Sequence, residues 1–179
     1  LQWPDHELHR AMKLQKAIEA PLWGQFPGIA ALTASDLQDG RFSVRLEGGR
    51  FECYLKRQAG THLFVLLAGA RDPETQPLPK FDRWSWEQRF PGHILCISDP
   101  TLYLDEKSMG IGWYVGPQDK KWQLRLAGLV KAIATKLGVP SRRVVCYGSS
   151  AGGFASMMLA TELGDATAVA INPQTEVLK

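Results

Sequence analysis

The residues with the clearest chemical potential are Gly148-Ser149-Ser150-Ala151-Gly152-Gly153. A short apolar run, Arg143–Tyr147 (RVVCY), precedes them, and an apolar helical stretch, Ala151–Leu163, follows. A strand that turns at once into a helix forces its middle residue into a strained backbone conformation. The residues two before and two after it crowd against neighbouring backbone, and Gly148 and Gly152 have no Cβ to clash there. The spacing G-x-S-x-G between strand and helix is a nucleophile elbow. It lifts Ser150 onto the C-terminal edge of a sheet, at a helix N-terminus whose free N–H groups favour developing negative charge. The chemistry this allows is attack of a serine hydroxyl on an ester carbonyl. Ser149 is not the centre, because Tyr147 and Ala151 would then occupy the glycine positions. A phosphate-binding loop is the competing reading. The segment lacks the Lys of G-x-x-x-x-G-K-[ST] and does not fit G-x-G-x-x-G.

The elements that must position this turn are legible from periodicity. Arg41–Glu47 and Phe51–Arg57 flank Gly48-Gly49. Phe42, Val44 and Leu46 alternate with polar residues, as in one arm of a hairpin. His62–Ala68, His93–Ser98, Arg143–Tyr147 and Thr167–Ile171 are continuous apolar runs, expected as strands buried on both faces. Lys120–Leu137 sets Trp122, Leu126, Leu129, Val130, Ile133 and Leu137 on one helical stripe, with Asp119 expected as cap and Gly138 as stop. Ala151–Leu163 is the next helix, closed by Gly164. The fold class expected is α/β: a mostly parallel sheet with helices on both faces and an antiparallel hairpin at its leading edge. Residues 5–20 read as a helix and residues 21–40, rich in Pro, Gly and Asp, as a connector. The division expected is therefore 1–40 for helix and connector and 41–179 for the α/β domain.

Bulk properties exclude several classes. The 179 residues are enough for one domain with a real core. A net charge of +3, scattered along the chain, gives no footprint for nucleic acid. No stretch approaches the roughly 20 apolar residues that span a bilayer. The first residues, LQWPDHELHR, lack the apolar core of a signal peptide. Cys53, Cys96 and Cys146 each sit in an apolar run and read as buried thiols, which places the chain in the cytoplasm. No CxxC motif or Cys/His cluster is present, so no metal is expected; nor is an organic cofactor.

With these residues in hand, the chain resembles the α/β-hydrolase superfamily over about Arg41 to Ile171. The hairpin is similar to that family's first two strands, and the four apolar runs to its third to sixth. FVLLAGA, SDPTLY, GWYVG, YGSSAGGFASM and INPQT also resemble a bacterial branch associated with export of surface polysaccharide and glycoprotein. The resemblance implies an acyl-enzyme on Ser150. It implies oxyanion donors at the N–H of Ala151 and in the loop after the third strand, at Gly69 or Ala70. It points to a carbohydrate ester as substrate, cleaved by water or transferred to a sugar hydroxyl.

A neutral serine needs a base within hydrogen-bond reach, and the family order is Ser, then Asp or Glu, then His. No His follows Ser150. His62 and His93 begin their strands, on the edge opposite the elbow; His6 and His9 lie on the N-terminal helix; Asp165 precedes its strand. The resemblance therefore implies that acid and base come from two further strands. If none follow, the open sheet edge calls for a partner or a second copy. Other residues fall at the correct edge, where ligands bind in open α/β sheets. Asp99 ends one strand, though a turn-forming role before Pro100 is equally natural. Asn172 and Gln174 follow the last strand, and Arg71 follows the oxyanion loop. Trp113 and Tyr114 would wall a sugar ring or else pack in the core. The missing His keeps two other functions open: a non-catalytic assembly module, and a nucleotide-binding domain.

Overall fold

A computed structural model describes residues 19–176. Seven strands form one sheet: β1 (Leu22–Phe26), β2 (Gly40–Leu46), β3 (Gly49–Lys56), β4 (Leu63–Leu67), β5 (His93–Ile97), β6 (Val144–Ser149) and β7 (Thr167–Ile171). Their spatial order is β1-β2-β3-β5-β4-β6-β7. Only β2 with β3 and β3 with β5 run antiparallel; the other four ladders are parallel.

Strand alternation sorts the side chains between two faces. Phe42, Val44, Phe51, Cys53, Leu55, Leu63, Val65, Leu95, Ile97 and Cys146 point to one side. There they pack with α1 (Ile29–Ala34), α2 (Trp122–Lys136) and α3 (Ala151–Leu163) in a single core. Leu66, Ile94 and Cys96 point to the other side, under Phe81, Trp84 and Phe90. That face is covered by the loop between β4 and β5 with its 3-10 turn Trp84–Arg89.

Several expectations change in detail, and one lies outside the described residues. The helix expected over 5–20 falls almost wholly outside the described residues. The connector expected at 21–40 instead carries β1 and α1. β1 pairs parallel to β2, so the hairpin lies one strand in from the edge. The hairpin turn is Glu47-Gly48, both with positive φ (48° and 79°). Gly49 already belongs to β3, and the Trp122 ring fills the space its side chain would need, 2.5 Å away. Helix α2 starts at Trp122 with no side-chain cap; Asp119 pairs with Lys120 at 3.2 Å instead.

β7 departs most from expectation. An apolar run reads as buried on both faces, but β7 is an edge strand paired only with β6. Val169 and Ile171 are 37% and 40% exposed. Among the described residues no strand pairs along its outer edge.

Candidate active site

The turn between β6 and α3 has the geometry the spacing predicts. Ser150 sits at φ 54° and ψ −124°, a conformation disfavoured for any residue with a Cβ. A Cβ on Gly148 would stand 2.2 Å from the carbonyl oxygen of Gly152, and one on Gly152 would stand 2.3 Å from that of Leu67. Neither contact has room for a methyl group, so both glycines are required by backbone packing. Ser150 N–H donates to Ile171 O (3.0 Å), while Ser150 O accepts from Phe154 N (3.1 Å) and Gln174 N (3.3 Å). The turn is thus tied to α3 and to the segment leaving β7. The N–H groups of Ala151, Gly152 and Gly153 begin a helix and have no carbonyl one turn before them to bond.

Three sequence candidates are brought together here. Trp113 donates through Nε1 to Gln174 Oε1 (2.8 Å), and Gln174 holds the Ser150 carbonyl through its own N–H. Trp113 is half-buried. Asn172 follows β7 with φ 43° and is exposed.

Three others serve the framework. Tyr114 is 1% exposed; its hydroxyl donates to Ile97 O (2.7 Å) and accepts from Ala68 N–H (2.6 Å). It is a buried pillar beneath β4 and β5, not a wall for a sugar. Asp99 is 3% exposed and accepts from the N–H groups of Thr101 (2.9 Å) and Tyr114 (3.1 Å). Burial pushes its carboxyl up to about 6, against these N–H bonds, which favour the charged form. Asp99 therefore fixes the backbone of Trp113-Tyr114, whose φ angles are both positive. Arg71 is buried, and its guanidinium is spent on the carbonyls of Gln76, Met109 and Glu106. Its five donors suit that clamping task.

The loop after β4 holds a feature that motif reading does not reveal. The N–H of Gly69 donates to Asp82 Oδ2 (2.9 Å), while Asp82 Oδ1 pairs with Lys80 Nζ (2.6 Å). Lys80 Nζ also reaches Gly69 O at 3.4 Å. A Cβ on Gly69 would lie 3.9 Å from Ser150 Cβ and 3.8 Å from Asp82 Oδ2, so this clamp borders the serine. The N–H of Gly69 is engaged by a carboxylate; among the described residues that of Ala70 has no such partner. Next to the clamp, Arg83 donates to Ser149 Oγ (2.8 Å) and lies over the Tyr147 ring, 5.1 Å from its centre. Lys80, Asp82 and Arg83 belong to no recognised spacing. The one signal was their charge, set among aromatics in PKFDRWSW between two buried strands.

No His of the described residues approaches Ser150. His93 stands at the first residue of β5, where its Nδ1 accepts Gln58 N–H (3.2 Å); burial lowers its pKa.

No protein-family model matches this chain, and no curated protein matches it by sequence. Solved structures do. A glycosylation-associated protein complex from Streptococcus agalactiae superposes with a TM-score of 0.57 at 16% identity, over 73% of this chain and 23% of that one. The capsule O-acetyltransferase of Neisseria meningitidis serogroup A gives 0.53 at 16% identity, over 83% and 56%. An alpha-beta serine hydrolase homologue from Coxiella burnetii gives 0.52 at 12% identity, over 78% and 65%.

The fold is α/β-hydrolase-like. At these identities the likeness extends to the fold alone, and the chain spans less than two thirds of each of the three neighbours. The turn at Ser150 lies at the junction of β6 and α3 in that sheet. No helix among the described residues is long and apolar enough to cross a membrane.

Proposed function

We propose that the chain carries the nucleophile of a serine ester hydrolase or acyltransferase. Ser150 Oγ attacks the ester carbonyl, forming a C–O bond and passing its proton to a base. The tetrahedral oxyanion is held by the N–H of Ala151 and that of Ala70, since Gly69's is engaged by Asp82. The leaving alkoxide takes the proton back as its bond to carbon breaks, which leaves an acyl-serine. Water then releases the acid, or a sugar hydroxyl takes the acyl group as a new ester. Each oxyanion donor contributes on the order of 3 kcal/mol to such a step. Trp113, positioned by Asp99 and Gln174, flanks the substrate.

One observation carries the proposal: the φ 54°, ψ −124° conformation of Ser150 between two glycines that cannot be replaced. Strain of this kind persists where the surrounding structure enforces it, most often at functional sites. The capsule O-acetyltransferase among the neighbours supports a carbohydrate hydroxyl as acyl acceptor; the base is a His from outside the described residues, following the family order. Covalent labelling by a fluorophosphonate, abolished in Ser150→Ala, tests the reading.

A second reading is a non-catalytic assembly module built on the same fold. It is favoured by the glycosylation-associated protein complex among the structural neighbours. A full-length protein that forms its complexes but never labels at Ser150 would establish it.

A further inference from the structure

Among the described residues, Arg83 is a charge near the candidate nucleophile that no carboxylate pairs. Asp82, its neighbour in sequence, is committed to Lys80 and Gly69. Among the described residues Arg83 has no carboxylate within ion-pair distance. One of its five N–H donors is used, on Ser149 Oγ. The guanidinium is nevertheless held in place: it lies between the Tyr147 ring, 5.1 Å from its centre, and the Trp86 ring, 5.7 Å away. Arg83 is half-buried, and its own backbone is left-handed (φ 59°) at the N-cap of the 3-10 turn.

Among the described residues, this partly desolvated guanidinium has four donors free and no counter-ion. Its planar fork matches an oxyanion group bidentately. Asp82, the sequence neighbour of Arg83, holds Gly69, whose Cβ position lies 3.9 Å from Ser150 Cβ, so a group bound beside Arg83 stands near the elbow. Trp86 is 42% exposed and offers an aromatic face to the same occupant. We propose that Arg83, backed by Tyr147 and Trp86, is a recognition subsite for an oxyanion group, phosphate or carboxylate, on the substrate or acyl donor. Placing that group on an acyl donor rests on the serine reading given above; the subsite itself does not.

Calorimetric titration of the chain with inorganic pyrophosphate and, separately, with succinate reads the subsite without any bond being made. Wild-type protein is expected to bind at least one of the two anions. That binding weakens tenfold or more in Arg83→Gln. It weakens several-fold in Arg83→Lys, which keeps the charge but loses the fork. Arg125→Gln, a surface arginine paired with Glu47, leaves it unchanged. Whichever anion responds to Arg83 identifies the group as phosphate or carboxylate. Ser150→Ala binds as wild type, so loss of serine chemistry and loss of the subsite are separate results. Should Arg83→Gln fail to fold by circular dichroism, Arg83→Lys carries the comparison. Binding of neither anion, or equal binding by wild type and the folded Arg83 variants, overturns the proposal.

Discussion

The carbonyl oxygen of Gly152 stands 2.2 Å from the point where a side chain on Gly148 would begin. That contact joins the end of β6 to the first turn of α3, and it is made by two rigid backbones that have no rotamer through which to escape. The strained turn at Ser150 exists because these segments approach so closely, and only glycine permits it.

Gly148→Ala therefore forces the turn apart. The expected loss is on the order of 3 kcal/mol in urea unfolding, as for overpacking against backbone. Gly138→Ala is the comparison: its φ is +69° but nothing lies near, so the cost is only the left-handed conformation, about 1 kcal/mol. Equal losses for the two would show that backbone conformation alone, without the close approach, sets the requirement.

Ser150→Gly makes the opposite prediction for stability. Glycine takes φ 54° without penalty, so the variant should be more stable than wild type by about 1 kcal/mol while losing its hydroxyl. A thermal or urea midpoint below that of wild type would contradict the strain assigned to this residue.

Asp99 predicts a dependence on pH. Its folded-state carboxyl titrates at about 6 against an ordinary 3.8. Between those values the folded protein holds a proton that the unfolded chain has released. Its contribution to stability therefore falls as pH rises through the window, by about 3 kcal/mol at most. Asp99→Asn loses one of the two N–H bonds at every pH but does not titrate. The difference in unfolding free energy between wild type and Asp99→Asn should shrink from pH 4 to pH 6.5. A constant difference across that range would contradict the assignment.

The parts of this architecture that were legible in the sequence are those set by local spacing. Period-two alternation located β2, the Gly48-Gly49 pair after it located β3, apolar runs located β4 to β6, and the glycines around Ser150 located the turn. Contacts between distant segments were not legible. β1 is bracketed by Pro21 and Pro27, and only its parallel pairing with β2 makes it a strand. The sequence of β7 resembles an inner strand, and its exposure follows from its position at the end of the sheet. At the site, Gln174 reaches Trp113 across 61 residues and Asp82 reaches Gly69 across 13. No local pattern encodes either pairing. Tyr114 and Asp99 were visible as residues near the correct edge, but burial turned both into supports.

The most direct measurement is covalent labelling of the full-length protein by a fluorophosphonate, with the modified peptide mapped by mass spectrometry. Wild type and Ser149→Ala should both be labelled at Ser150, and Ser150→Ala should not be labelled at all. Absence of labelling in folded wild-type protein, or labelling that survives in Ser150→Ala, would contradict the account of Ser150 as a nucleophile.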